Sequence, residues 1–348
     1  MKILIRGTNW IGDAVMTIPA LRALRRIFPN ERIYLHSHSG PAELLADTEF
    51  VDEFIIINRS GSKMLTVINE ARRLKQEKFD LAILFTNSWE SALTVRLAGI
   101  PVRLGYASDR RGFLLSDPIP VPEWKVTRHE VFYYLNLAAA VEGKYLGTRS
   151  ITDESPSTDI SISSKRQDSA KDLLRSLGVK FDRPVVGLGI GSTNSRAKRW
   201  PAGSFAQLAD KLKASLNADL LLLGSNGDRS VADEVIANSN SNLIDLTGKT
   251  NVSEAAAVLC VIDLMVSNDM GLAHVSPAVG TQTLVIFGPT DPVTTRPFSD
   301  NAEVIRREVD CSPCMLRDCP IDHRCMINIS ADDILTKALH KLRLHERK

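Results

Sequence analysis

Twice along this chain, short runs of aliphatic and β-branched residues alternate with longer segments of helical periodicity, and that alternation restricts the fold more than any other feature. Strands joined through helices run parallel and need cover on both faces, so they build a doubly wound α/β layer. In the first series, Lys2 to Gly7 reads as a strand, Asp13 to Phe28 as a helix, Arg32 to Ser37 and Leu81 to Thr86 as strands, and His129 to Val141 as a helix. The second series reads as strands over Val185 to Ile190, Asp219 to Gly224, Leu243 to Asp245, Leu264 to Ser267 and Thr283 to Phe287. Helices over Gly203 to Leu216, Asp228 to Ala237, Val252 to Val261 and Leu272 to Val279 separate them. Between the series, Gly143 to Ser163 is polar and rich in Ser, Thr and Gly, the composition of a linker.

A length of 348 residues suits two domains of ordinary size. We therefore expect two Rossmann-like domains, 1–160 and 161–348, facing across a cleft at the carboxyl ends of their sheets, where this architecture binds ligands. A final helix, Ala331 to Leu344, can pack on either domain, including back onto the first. Lys+Arg 43 against Asp+Glu 41 leaves a formal charge of +2, without the basic excess of a nucleic-acid binder. Only Ile3, Leu4 and Ile5 separate Lys2 from Arg6, too little for a secretory signal, and the apolar stretch Ala255 to Ile262 stops at Asp263. No transmembrane segment is expected, and the location expected is cytoplasmic, with any membrane contact peripheral.

Four constellations carry chemistry. In Arg6-Gly7-Thr8-Asn9-Trp10-Ile11-Gly12-Asp13 a strand turns directly into a helix, and Asp13 is either a helix cap or a carboxylate offered at the strand's open end. In Gly187-Leu188-Gly189-Ile190-Gly191-Ser192-Thr193, followed by Lys198-Arg199-Trp200-Pro201, backbone N–H groups can approach phosphate oxygens while Lys198 supplies charge. A dinucleotide fingerprint would require Gly at 192 and a prompt helix; Ser192 and the polar run Thr193 to Lys198 favour a phosphate cradle instead. In Ser267-Asn268-Asp269-Met270-Gly271-Leu272-Ala273-His274 a strand, an Asn-Asp turn and a helix start suit a diphosphate, with an ordinary cap by Asp269 and a packed His274 as the bland alternatives. In Gly224-Ser225-Asn226-Gly227-Asp228 the carboxylate of Asp228 either accepts from ribose hydroxyls or caps a helix.

Cys311, Cys314, Cys319 and Cys325 crowd into fifteen residues around His323, spaced C-x2-C-x4-C-x5-C. Thiols so close can take zinc or an iron–sulfur cluster, although the spacing matches no common pattern, and a reducing compartment disfavours disulfides. Catalysis is not expected of them.

Taken together, these residues resemble the ADP-heptose:lipopolysaccharide heptosyltransferases, GT-B glycosyltransferases of family 9. The resemblance runs over nearly the whole chain: Trp10 to Asp13 with Pro19 to Leu24, Asn87-Ser88, Ala98 to Pro101 with Gly105-Tyr106, Lys198 to Pro201, Gly224-Ser225, Asn268-Asp269 with Gly271-Leu272 and His274, and Gly288-Pro289-Thr290. The amino-terminal segments are most similar to the heptosyltransferase II branch; heptosyltransferase I or III would differ in acceptor. One departure stands out, Met270 where the family has Ser or Thr.

The resemblance implies inverting, metal-independent transfer with no cofactor. An ADP-heptose donor would sit on the second domain, and a lipid A-core acceptor, at the inner face of the inner membrane, on the first. It also implies Asp13 as base, Lys198 as the phosphate cation, and donor contacts from Ser192, Thr193, Asp228, Asp269, Met270, Gly271, Leu272 and His274. Acceptor contacts are expected from Asn9, Trp10, Ser88, Arg110 and Arg111, the arginines pairing with anionic core groups. The rival classes are a nicotinamide-dependent oxidoreductase and a non-catalytic sugar-nucleotide binding protein.

Overall fold

The computed structural model describes residues 1–59, 61–151, 155–193 and 195–345. The chain divides into two compact units, Met1–Thr158 and Asp159–Lys348. The first runs β1 (Lys2–Arg6), α1 (Ile11–Ile27), β2 (Arg32–Ser37), α2 (Ser39–Leu45), β3 (Glu53–Ile56), α3 (Lys63–Glu77), β4 (Leu81–Leu84), α4 (Trp89–Leu97), β5 (Val102–Tyr106), β6 (Asp117–Ile119) and α5 (Glu130–Tyr145). The second runs α6 (Ser164–Ser176), β7 (Val185–Gly189), α7 (Ala202–Leu216), β8 (Asp219–Leu223), α8 (Arg229–Asn238), β9 (Leu243–Asp245), α9 (Val252–Cys260), β10 (Leu264–Asn268), α10 (Gly271–Ala278), β11 (Gln282–Phe287), α11 (Pro292–Thr295), β12 (Ala302–Arg306), α12 (Arg324–Ile327) and α13 (Ala331–His345).

Each unit holds one six-stranded sheet, ordered β3-β2-β1-β4-β5-β6 in the first and β12-β11-β10-β7-β8-β9 in the second. All strand pairs are parallel. Counted from its own first strand, each sheet has the 3-2-1-4-5-6 order of a Rossmann fold. The order reverses between β1 and β4 in one unit and between β7 and β10 in the other, so those two pairs of strand ends open the ligand crevices.

The central strands read as unbroken apolar runs because helices cover both faces; β4, β7, β8 and β10 are buried at every position. The edge strands β3 and β12, short and carrying Glu53 and Glu303, lack that signature and were not expected from sequence. Glycine inside β7 answers a packing demand: a Cβ at Gly189 would lie 2.3 Å from the Ser267 Oγ of the neighbouring strand.

The expected linker is only partly one. Its first residues extend α5 to Tyr145, and the buried carboxylate of Glu142 accepts from the hydroxyls of Thr148 and Ser150 and from Ile151 N–H, pinning the chain that follows. At its far end Ile160 and Ile162 are buried and alternate with exposed Asp159 and Ser161, and Ile160 N–H donates to the Ala278 carbonyl. Two isoleucines at period two give a weak sequence signal, which explains the misreading. The final helix, α13, packs on α7, β10 and β11 of its own unit. Ile334, Ala338 and Leu342, one turn apart, enter that unit's core.

A buried polar cluster fixes the carboxyl end of β1. His36 Nε2 lies 2.7 Å from Glu70 Oε2, and both side chains are buried. Burial, aided by the charge of Arg6, holds the His36 pKa below its usual value against the opposing hydrogen bond to Glu70. Burial alone would raise the Glu70 carboxyl, but the hydrogen bond and charge from His36 bring it below the usual range. Arg6, pushed down to about 10 by burial, spans from the Gly7 carbonyl to Asn9, whose Oδ1 accepts at 2.7 Å.

Candidate active site

At the reversal point of the second unit, the turns after β7 and β10 are sewn together before any charged group is considered. Asn268, the last residue of β10, donates through Nδ2 to the Ile190 carbonyl at 2.8 Å and accepts through Oδ1 from Trp200 N–H at 2.9 Å. Trp200 is buried, donates its indole N–H to the Ile329 carbonyl at 2.9 Å, and packs edge-on to Phe205 at 4.9 Å between ring centroids. With that ring anchored, the preceding residues Lys198 and Arg199 are placed by the backbone, and their long side chains reach the strand ends.

Lys198 Nζ contacts Asp269 Oδ2 at 2.7 Å, and the Thr290 hydroxyl donates to the same oxygen at 2.7 Å. Residues from three separate turns therefore converge on one carboxylate: Asp269 after β10, Lys198 after β7 and Thr290 after β11. Asp269 is buried and the lysine side chain is about one quarter exposed, at 26%. The ammonium thus has a buried counter-ion behind it and an open side in front. Sequence reasoning named Lys198 and Asp269 but not their pairing, and it gave Thr290 and Asn268 no role; a threonine following Gly-Pro was the available signal.

Asp228 needs a correction. Its carboxylate, in a residue only 1% exposed, accepts from Ser225 N–H at 3.0 Å, Ser225 Oγ at 2.6 Å and Arg199 Nη2 at 3.1 Å. Asp228 closes a capping box with Ser225, so its oxygens serve the loop rather than offering an open face to ribose. Gly191 is explained by the same group, since a Cβ there would meet Asp228 Oδ2 at 2.3 Å. Arg199 also donates to the Ser192 carbonyl at 3.2 Å, tying the cradle loop to this cap. Ser192 is buried and Thr193 exposed, so the loop presents Thr193 outward. After Thr193 the chain reaches only a single 3-10 turn, Arg196–Lys198, not the helix a dinucleotide fingerprint demands.

Met270 occupies the N-cap position of α10 without a side-chain cap hydrogen bond. Its side chain packs instead on Ala273, Val285 and Phe287. The missing Ser or Thr hydroxyl is thus replaced by an apolar anchor that fixes the helix start, leaving the backbone at Gly271 and Leu272 to offer N–H groups and the positive end of the dipole. His274, one turn further, is buried within the helix.

In the first unit the reversal point lies at the ends of β1 and β4. The backbone of Trp10 takes the N-cap position of α1, so Asp13 is not the cap but stands, half-buried, in the first helical turn, where a carboxylate suits the dipole. Its charge also acts on Tyr134, a fully buried phenol pushed up first by burial and then by Asp13. Asn9 and Trp10 are exposed, the indole at 54%. Ser88 caps α4, accepting from Ser91 N–H at 3.2 Å. Arg110 is exposed and has a positive φ of 57°.

Arg111 was expected to face an anionic acceptor, and the structure overturns this. The residue is 0% exposed. Its guanidinium donates to the carbonyls of Tyr106 at 2.9 Å, Thr86 at 2.6 Å and Ser88 at 3.0 Å, and to Ser91 Oγ at 3.2 Å. It clamps the loops after β4 and β5, and burial pushes its pKa down to about 10. Arg111→Ala takes this donor from the Tyr106 and Thr86 carbonyls, while the Ser88 carbonyl keeps the Ser91 hydroxyl. At about 1–3 kcal/mol for each of the two, a loss of roughly 2–6 kcal/mol is expected in urea unfolding. Arg110→Ala changes stability by no more than about 0.5 kcal/mol. Equal midpoints for the two variants would refute the clamp.

Residues 67–324 match the model of glycosyltransferase family 9 (heptosyltransferase). The chain belongs to that family. It is a glycosyltransferase enzyme of the GT-B fold, which sets aside the oxidoreductase and the binding protein without chemistry. It is 25% identical to lipooligosaccharide heptosyltransferase 2 of Campylobacter jejuni serotype O:6, over 96% of this chain and 97% of that one. To lipopolysaccharide heptosyltransferase 2 of Escherichia coli K12 it is 29% identical over 88% of each. The solved structure of E. coli ADP-heptose lps heptosyltransferase II superposes with a TM-score of 0.84 at 26% identity, covering 99% of this chain and 100% of that one.

Proposed function

We propose that this glycosyltransferase is a heptosyltransferase of type II, moving heptose from ADP-L-glycero-D-manno-heptose to the inner-core heptose of lipopolysaccharide, with inversion and without a catalytic metal. The convergence of Lys198, Asp269 and Thr290 at the second unit's reversal point supports this reading most directly. In a family whose named relatives are heptosyltransferases, such a crevice suits a sugar diphosphate. On this reading residues 1–160 bind the acceptor and residues 161–348 the donor.

As the acceptor oxygen forms its bond to the anomeric carbon, the bond from that carbon to the ADP oxygen breaks. Asp13 takes the acceptor proton, and the departing diphosphate collects negative charge. Lys198, the Thr193 hydroxyl and the N–H groups from Met270 to Leu272 meet that charge with donors already in place, the task a metal performs elsewhere. Asp269 orients sugar hydroxyls with the oxygen turned away from Thr290. Asp228 acts from beneath, through Arg199, and His274 supports the helix that carries the N–H groups. Asn9, Trp10, Ser88 and Arg110 remain the acceptor-side residues.

Among the described residues no helix is long and apolar enough to cross a membrane. On the proposed reading, a lipid-borne acceptor is met peripherally, at the inner face of the inner membrane. The decisive experiment incubates the purified chain with ADP-heptose and defined truncated inner cores in the presence of a chelator, and identifies the product by mass and linkage. A second heptose on a core already bearing one is the expected product. Transfer only to a heptose-free core, or to a completed inner core, would assign type I or III instead, and no transfer without divalent ions would remove the metal-free mechanism.

A further inference from the structure

We propose that His323 is a positioning residue for Lys198, fixing through its ring the turn from which that ammonium reaches the donor crevice. Between β7 and α7 the described chain forms only one three-residue 3-10 turn, Arg196–Lys198. A turn that short cannot hold its own shape, because its few internal hydrogen bonds do not offset the ordering of its backbone. Contacts from outside it must set where the Lys198 side chain starts.

Those contacts fall on the residues that flank the lysine. His323 Nε2 lies 2.6 Å from the Ala197 carbonyl oxygen, and since a carbonyl only accepts, the ring donates Nε2–H. Ala197 is buried, and its own N–H donates to the Arg317 carbonyl at 2.9 Å. Both backbone groups of the residue before Lys198 are therefore held by the segment that follows β12. Two residues beyond Lys198, the Trp200 indole N–H donates to the Ile329 carbonyl. His323 and Ile329 stand on either side of α12, so one short segment brackets Lys198 from before and after. All five cysteines of the chain are free thiols, and among the described residues no three His, Cys, Asp or Glu side chains stand as metal ligands; the grip described here consists of hydrogen bonds.

The bracket is itself rooted. Cys325 and Met326 of α12 are buried in the second unit's core, packed so closely that a Cβ on Gly288, just past β11, would collide with the Met326 sulfur. The N–H groups of Met326 and Ile327 donate to the His323 carbonyl at 2.9 and 3.1 Å, tying the residue that carries the ring to those buried side chains. A rigid support thus runs from Met326 through the His323 ring to Ala197, and the next residue along the chain is the lysine. His323 touches neither donor nor acceptor on this arrangement; it acts through Lys198.

The inference rests on Lys198 meeting the leaving diphosphate, and it is tested in the full chain with His323→Ala, His323→Gln, Lys198→Ala and the pair His323→Ala with Lys198→Ala. His323→Ala is expected to lower turnover by about 10- to 10²-fold, the cost of a small misplacement of a reacting group, and to leave the KM for the acceptor core unchanged. Glutamine brings a side-chain N–H toward the Ala197 carbonyl, so His323→Gln is expected to recover most of that loss. Residue 323 has φ 58°, in the left-handed region, so alanine and glutamine both bear its strain and their difference reports the donor. In a chain already lacking the lysine ammonium, removing the ring is expected to cost no further turnover, because the two act as one unit. Losses that multiply, or a glutamine variant no better than alanine, would overturn the role. The same coupling read in the dissociation constant for ADP needs no acceptor: found in a chain that transfers to no inner core, it keeps the positioning role and removes only the assigned reaction. If the alanine variant fails to fold, exchange of the Nε2 proton in the unaltered protein decides: slow exchange is expected, and a proton as labile as that of free imidazole would overturn the contact.

Discussion

Asp13→Ala is expected to lower turnover by about 10²- to 10⁴-fold, the range that general-base assistance supplies, while leaving the dissociation constant for ADP-heptose unchanged. The separation follows from placement: Asp13 stands in the first turn of α1, on a different unit from Lys198, Asp269 and Thr290. Its position inside the helix leaves the N-cap of α1 at Trp10 untouched, and the lost dipole contact is worth about 0.3–1 kcal/mol. Asp13→Asn keeps the shape and should match alanine in turnover. Donor affinity by calorimetry and turnover by ADP release provide the check; normal turnover in either variant would end the base assignment.

Lys198→Ala should damage two quantities at once. Removing the cation from the leaving diphosphate is expected to cost about 10²–10³ in turnover, comparable to loss of one preorganised oxyanion donor. It also strips the counter-ion from Asp269, whose side chain is 6% exposed. Breaking a buried pair costs roughly 3–5 kcal/mol, and the partial exposure of the lysine reduces the expectation here to about 1–3 kcal/mol. Adding Asp269→Asn to Lys198→Ala should restore most of the stability, because the uncompensated charge is gone, but not the turnover. A double variant as unstable as the single would show that the ion pair is not the source of the loss.

The parts of the fold that could be read from sequence are those where one physical signal dominates. Strands buried on both faces, such as Asp219–Leu223 and Leu264–Asn268, announce themselves by the apolar runs Leu220 to Leu223 and Leu264 to Val266. Edge strands carry that signal less reliably: Glu53–Ile56 and Ala302–Arg306 mix charge with apolar residues and escape the reading, whereas the edge strand Leu243–Asp245 does not. At the site, the turns were legible because Gly, Asn and Asp cluster after strands, yet what each side chain does there was not. Arg111 looks like half of an exposed arginine pair until the loops after β4 and β5 fold around it. Asp228 looks like a ribose ligand until Arg199, twenty-nine residues earlier, is found against it. Likewise, the His36–Glu70 pair joins positions thirty-four residues apart. Such assignments depend on tertiary neighbours, which no local pattern encodes.

The carboxylate of Asp269 already sits where the lysine's charge would otherwise stand bare. Any anion arriving at Lys198 must outcompete a tethered rival held at 2.7 Å. Inorganic phosphate, with a single point of attachment, gains little from that exchange. On the proposed reading, a nucleoside diphosphate would bring further points of attachment along the neighbouring turns and tip the competition, so that the resting ion pair would act as a placeholder screening stray anions from the donor seat.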